Sequence, residues 1–263
     1  MIRAIFYVLL FLLSVLLPVT SCNNTVNYFG KKKEYTILSY NVRNCRGLDN
    51  QTDYQRVADI INRINPQVVA LQELDSATQR SNGAVVLNEL AQLTGMHPVY
   101  GASILFQGGK YGVGVLTNEK PLLWRTVTLP GREEKRSLLI VELENAIICC
   151  THFSLNEEDR IESVKIINDL FNTLVKPVFL AGDLNATPQS EVISRIEEKW
   201  ILLNDRNVST FPADKPDSCI DYVFIHKGSA AGVRTAKARV EQEPVASDHL
   251  PVWVRVIIRL RRN

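Results

Sequence analysis

Asp183 and Asn185 in the segment GDLNATP (182–188), with Asp248 and His249 in SDHLP (247–251), are the residues whose types and spacing most readily do chemistry. An acid and an imidazole can exchange protons, and an amide can donate without adding charge, which suits attack by water on an ester and stabilisation of an oxyanion. Four further polar signals border apolar runs: Asn41 in SYN, Glu73 in LQE, His152 in THF and Asp221 in IDY. Glu73, Asp183 and Asp248 are carboxylates and Asn41 and Asn185 amides, all suited to a hard cation, with two imidazoles and Asp221 beside them. Hydrolysis of a phosphate ester needs a cation to offset charge on phosphoryl or leaving oxygens, a group to position or deprotonate water, and donors to the phosphoryl oxygens. This set can fill each role. Every signal also has a plainer reading by itself. GDLNATP is equally an Asx-rich turn before a helix start at Thr187-Pro188, and Glu73 a surface acid after a strand. On an extended backbone Asp183 and Asn185 would share one face while Leu184 points into the core.

The elements that must position these residues follow from periodicity. Alternating or continuous apolar runs predict strands at 35–42, 67–74, 98–105, 112–117, 122–129, 137–143, 146–153, 177–184, 219–226, 236–241 and 252–260. Helical spacing predicts helices at 53–64, 84–93, 156–174 and 190–199, the first stopped before Pro66 and the second closed at Gly95. Strands outnumber helices, and most helices connect separated strands. The expected fold class is therefore α+β: a four-layered α/β sandwich, two mixed β-sheets packed face to face with helices on the outer faces. The polar signals fall at strand ends, which meet at the rim of such a sandwich.

In their order along the chain, from about residue 35 to 259, the six motifs resemble the endonuclease/exonuclease/phosphatase superfamily. That superfamily includes pancreatic deoxyribonuclease, apurinic endonucleases, deadenylases, bacterial sphingomyelinases and inositol phosphate phosphatases. LQE or THF alone is unspecific, and the shared order carries the likeness. The resemblance implies that Glu73 is the principal carboxylate ligand of Mg²⁺ or Mn²⁺, with Asn41 beside it and Asp248 holding the same cation or a second one. It implies that Asp183 orients or deprotonates the attacking water, and that Asn185 and His152 bind phosphoryl oxygens. His249 would stand opposite His152 across the scissile phosphate, with Asp221 fixing its tautomer and favouring its charged form. Asp183 and His249 both stay open as the general base. His97 and His226 lie outside the pattern and read as surface or structural.

Composition narrows the setting. Arg3, an apolar run over 4–17 and small residues up to Cys22 follow the order of an export signal (1–21), and Cys22 fits a loose lipoprotein cleavage box. Residues 22–33 then read as a lipidated cysteine and polar tether, and 34–263 as one domain. The expectation is an exported lipoprotein of the bacterial periplasm or outer membrane, held to the membrane through a lipid on Cys22, monomeric and with no protein partner implied. Loss of residues 1–21 removes one charged residue, Arg3, and takes the net charge from +2 to +1. Such a near-neutral balance disfavours a dedicated duplex binder but not a short or lipidic phosphodiester. Cys45, Cys149, Cys150 and Cys219 fit no zinc spacing, and AIICC reads as a strand with buried thiols.

The charged run Arg132–Arg136 reads as a solvated hairpin turn, from which Arg136 reaches a phosphate only if the turn overhangs the cleft. GGKYGVG (108–114) lacks the Lys-Ser/Thr pair and helix of a phosphate-binding P-loop. Cys219-Ile220-Asp221-Tyr222 departs from the Trp-Cys-Asp-Arg run of inositol polyphosphate phosphatases, and GDLNATP, TFP (210–212) and IDYVF look closest to diverse bacterial secreted members. The substrate expected is a phosphate ester in nucleic acid, lipid or sugar phosphate. A phosphodiesterase or nuclease leads, with a sphingomyelinase-like or sugar/inositol phosphate phosphatase as the alternative. A surface lipoprotein that only binds a ligand on the same fold is the competing class.

Overall fold

The computed structural model describes residues 29–171 and 174–261. The expected export signal and Cys22 lie outside the described residues. Two six-stranded sheets form the centre, one ordered β11-β12-β1-β2-β4-β3 and the other β5-β6-β7-β8-β10-β9. The first contains β1 (Phe29–Asn41), β2 (Val68–Ser76), β3 (His97–Phe106), β4 (Gly109–Thr117), β11 (Val233–Val240) and β12 (Val252–Arg261). The second contains β5 (Leu123–Leu129), β6 (Arg136–Glu142), β7 (Ile147–His152), β8 (Val178–Asp183), β9 (Trp200–Leu202) and β10 (Asp221–His226). β1 with β2 and β7 with β8 run parallel while the other pairs are antiparallel, so both sheets are mixed.

Side-chain alternation sorts the strands between three cores. In β1, Tyr35 and Ile37 pack between the sheets with Leu139, Ile148, Phe179 and Val223. Leu38 and Tyr40, one step out of phase, pack instead beneath helices α1 (Tyr54–Ile64) and α2 (Val86–Thr94). β8 repeats the device, with Phe179 and Ala181 between the sheets and Val178 and Leu180 under α3 (Glu157–Leu170) and α4 (Glu191–Lys199). The layers run helix, sheet, sheet, helix, as the sequence predicts. Each fully buried Leu, Ile or Val in them contributes about 1.5–3 kcal/mol.

Asp53 caps α1 by accepting from Arg56 N, and Asn65 closes it in the left-handed conformation. Asn156 caps α3, which stops at Leu170 rather than continuing to 174. Phe171 turns away to stack edge-on against Trp200 at 5.8 Å. Three strand boundaries also differ from expectation. Residues 29–33, read as the end of a tether, belong to β1, because backbone pairing with β12 holds a segment whose side chains gave no apolar signal. β4 begins at Gly109 and β11 at Val233, and β9 is too short to show a period. The four described cysteines are buried free thiols.

Candidate active site

Register brings the polar signals together. The crossovers β1–α1–β2 and β7–α3–β8 each return parallel, so within each sheet two consecutive strands end on the same side. Asn41 ends β1 opposite Gln72, the residue before Glu73. In the other sheet His152, Asp183 and Asp221 occupy one rung across β7, β8 and β10. Glu73 does not follow simple alternation. The β2–β4 register slips between Leu71 and Leu74, and Glu73 sits inside this bulge at φ 61°, which re-aims its carboxylate toward Asn41.

Asp183 Oδ2 is the hub. Asn41 Nδ2 donates to it at 3.1 Å, and His152 Nε2 and His249 Nε2 lie 3.4 and 3.5 Å away. The same Asn41 amide donates to Glu73 Oε1 at 3.0 Å, so it bridges two carboxylates. Asp183 Oδ1 accepts the Asn185 N–H at 2.9 Å, closing an Asx turn with Asn185 at φ 48°. Asn185 therefore reaches the site by a turn, where an extended backbone was expected, and its amide donates to Phe153 O at 3.0 Å. Leu184 is fully buried, as expected.

The two imidazoles are held in opposite charge states. Burial pushes His152 down to about 4, despite Asp183, with Arg136 and His249 adding to the fall, so it is neutral at pH 7. His249 is also buried, which opposes its charge, yet Asp221, Asp183 and Asp248 push it up to about 10. Its Nδ1 donates to Asp221 Oδ2 at 2.9 Å.

Burial first, then Asp248 and Asp183, raise Glu73 above the ordinary carboxylate range, while the Asn41 amide opposes them. Such mutual repulsion among oxygen donors is the electrostatic signature that a hard cation relieves. Of the donor set expected for Mg²⁺ or Mn²⁺, Glu73 and Asp248 offer carboxylate oxygens suited to a hard cation, whereas Asn41 turns Nδ2 toward Glu73 and its Oδ1 accepts from Arg43 N at 3.1 Å. Asp183, Asp221 and His249 also offer ligand atoms within 4.8 Å of one another. Asp221 Oδ2, however, already accepts from Thr210 Oγ1 at 2.6 Å as well as from His249. While protonated and bound to Asp221, the His249 ring offers no lone pair to a metal.

Several supporting residues carried no site signal in the sequence. Thr210 accepts the N–H groups of Ile220 and Asp221 and commits its own proton to Asp221. Phe211 packs its ring 4.8 Å from that of His249, and Ser247 Oγ donates to Asn41 O at 2.7 Å. Thr210 and Phe211 fall in the TFP run, noticed only as a family marker. The solvated turn expected at Arg132–Arg136 needs correction at its end. Arg136 is buried and paired with Glu133 and Glu134 at 3.0 Å each. His226 is structural, its ring against Trp200 at 5.0 Å and Nδ1 accepting from Gly228 N, and His97 is exposed in β3.

A family model described as "Endonuclease/Exonuclease/phosphatase family" matches residues 38–249, which span every residue of this site. The chain belongs to that family. No curated protein sequence matches it. Among solved structures, an endonuclease/exonuclease/phosphatase from Beutenbergia cavernae is 21% identical with a TM-score of 0.70, covering 86% of this chain and 72% of its own. A mannosyl-6-phosphatase from Bacteroides thetaiotaomicron is 15% identical with a TM-score of 0.65, covering 84% of this chain and 99% of its own. ANGEL2, described as a 2',3'-cyclic phosphatase, is 14% identical with a TM-score of 0.66, covering 89% and 97%. At these identities the likeness shows the endonuclease/exonuclease/phosphatase fold.

Proposed function

We propose that this chain is a hydrolase of phosphate esters, phosphodiesters first among them, that works with Mg²⁺ or Mn²⁺. The carrying observation is the convergence of Asn41, His152 and His249 nitrogens within 3.5 Å of one oxygen of Asp183. A cation held by Glu73 and Asp248 would neutralise charge on the phosphoryl oxygens. Asp183, anchored through Oδ1, orients the attacking water and accepts its proton on Oδ2. The imidazolium of His249 has no lone pair to act as base, so it donates to developing negative charge while Asp183 takes the base role. Neutral His152 and the second amide N–H of Asn185 donate to phosphoryl oxygens without adding charge.

The test is hydrolysis of bis-p-nitrophenyl phosphate by the domain with Mg²⁺, compared with Asp183→Ala and His249→Ala. Hydrolysis that needs the metal and disappears in both variants is expected. Activity surviving both changes overturns the mechanism, and inactivity of the native chain toward this and other diesters favours the ligand-binding class. The mannosyl-6-phosphatase and cyclic phosphatase neighbours add phosphomonoesters and cyclic esters to the screen.

The N-terminal order of Arg3, apolar run, small residues and Cys22 supports export and lipid anchoring. Labelled palmitate should enter the protein and be lost in Cys22→Ser. Equal labelling of both forms refutes the anchor.

A further inference from the structure

Beside Glu73 lies a cleft of about 400 Å³ whose lining includes Arg43, Asn44, Arg46, Thr52, Glu73 and Arg80. Its size falls in the ~300–1,000 Å³ range of small-molecule sites, but its walls are polar and cationic. Glu73 is the one acid among the described residues of the lining, and it faces Asn41 and the carboxylates of the reaction centre. The cleft and that centre therefore share a wall.

The three guanidinium groups are differently held. Arg80 is fixed by two hydrogen bonds of 2.8 Å to the buried carboxylate of Asp75, and lies 4.8 and 5.5 Å from the ring centroids of Phe106 and Tyr111. Arg43 Nε stands 3.5 Å from Asp248 Oδ2. Arg46 is exposed and has no ion-pair partner among the described residues. Arg80 and Arg43 are thus paired with Asp75 and Asp248, and Arg46 alone of the three has no carboxylate partner among the described residues.

The backbone also departs from its ordinary range at this wall. Arg43, Asn44 and Cys45 stand at φ 46°, 55° and 58°, a left-handed conformation that L-residues visit singly at about 1–2 kcal/mol each. The turn is pinned by Arg46 N donating to Arg43 O at 2.9 Å and Asp75 N donating to Asn44 Oδ1 at 3.3 Å. It brings Arg43 and Arg46 to the same cleft as Arg80.

We propose that this arginine-lined cleft binds a second phosphoryl group of the substrate while the first reacts at Asp183, so that the preferred ester carries at least two phosphates. The inference rests on the phosphoesterase reading for its orientation. Planar guanidinium forks suit phosphate oxygens, and a phosphoryl group would give Arg46 the anionic partner it lacks among the described residues.

Isothermal titration of the full chain in Mg²⁺ buffer, with thymidine 3',5'-bisphosphate and each thymidine monophosphate, tests it. The bisphosphate should bind about tenfold more tightly than either monophosphate, and Arg46→Gln should cut that advantage to roughly twofold. Arg259→Gln removes an equal charge from a separate cleft lined with Lys32 and Arg234 and should leave the advantage intact. No binding of the bisphosphate, no advantage over the monophosphates, or an advantage that survives Arg46→Gln or falls equally in Arg259→Gln overturns the proposal. Loss of diester hydrolysis bears on the phosphoesterase reading without changing this binding ratio. A missing ratio in an active enzyme removes the second-phosphate cleft alone.

Discussion

Asp221 Oδ2, at the start of β10, and His249 Nδ1, in the loop that leads into β12 of the other sheet, meet at 2.9 Å with both residues buried. Thr210 adds a second donor to the same oxygen at 2.6 Å, so the carboxylate is fixed before it fixes the ring. Burial by itself would leave the imidazole neutral. The surrounding carboxylates reverse that outcome, push His249 up to about 10 and turn its Nε2 side, as a cation, toward Asp183.

Replacement of Asp221 by Asn removes the nearest of these charges while keeping the shape. The His249 titration should then fall from about 10 toward or below its ordinary 6.5, as burial gains weight. Diester hydrolysis should drop on the order of 10²–10⁴-fold with loss of the charged donor. NMR titration of the ring reads the first effect, and a ring still titrating near 10 would show that Asp221 is not its controlling partner.

Glu73 tests the cation. Its carboxyl is raised by burial and by Asp248 and Asp183, so protons compete with a metal as pH falls through its raised pKa. Glu73→Gln should weaken Mn²⁺ binding roughly 10–100-fold, read by the paramagnetic resonance of free Mn²⁺. The metal-free variant should melt no lower than the native chain, since repulsion is relieved, while the melting-point gain on adding Mn²⁺ disappears. Unchanged Mn²⁺ affinity would exclude Glu73 as the principal ligand.

Much of this site was legible because Asn41, His152 and Asp183 end strands and Asp221 begins one, and such boundaries carry a clear signal: a polar residue bordering an apolar run. Periodicity likewise located the four helices and every strand but β9, whose three residues show no period. The contributions of Thr210, Phe211 and Ser247 were not legible. They depend on loops whose course no period specifies, and their hydroxyls or rings act by touching another side chain. The bulge at Glu73 was hidden for a related reason, since a register slip belongs to the pairing with β4 and not to either strand. Asn185 shows that a correct residue can be reached by a wrong geometry, because Asp183 closed a turn where alternation predicted extension. Arg136 appeared solvated in a run of charges, and only the fold revealed that Glu133 and Glu134 allow its burial.

Glu133 supplies a test of acid stability away from Glu73 and Asp248. Burial acts to raise its carboxyl, but its own backbone N–H, Leu155 N at 2.9 Å, Ser154 Oγ at 2.8 Å and Arg136 at 3.0 Å outweigh this and hold it at about 2. A depressed folded-state value gives stability that is present above the ordinary 4.5 and lost as pH falls through about 2. Glu133→Gln should flatten that part of the stability curve and cost about 1 kcal/mol near neutrality, kept small by partial exposure. Urea unfolding across the acid range measures it, and identical pH slopes for the two proteins would refute the assignment.

Gly182 ties the GDLN segment to the rung that carries the site. A Cβ at this position would lie 2.0 Å from Thr151 O, a backbone atom of the parallel neighbour that cannot rotate aside. Gly182→Ala must therefore separate β7 from β8 or break their register, at a cost of about 3 kcal/mol, the upper part of the usual overpacking range. The next rung pairs His152 with Asp183, so the same displacement should widen the 3.4 Å contact between their side chains. Two measurements follow: a lower urea midpoint, and under strongly native conditions a loss of hydrolysis larger than the unfolded fraction explains. Native stability and activity in Gly182→Ala would show that the strands yield without disturbing the site, and would refute the view that the residue before Asp183 must be glycine.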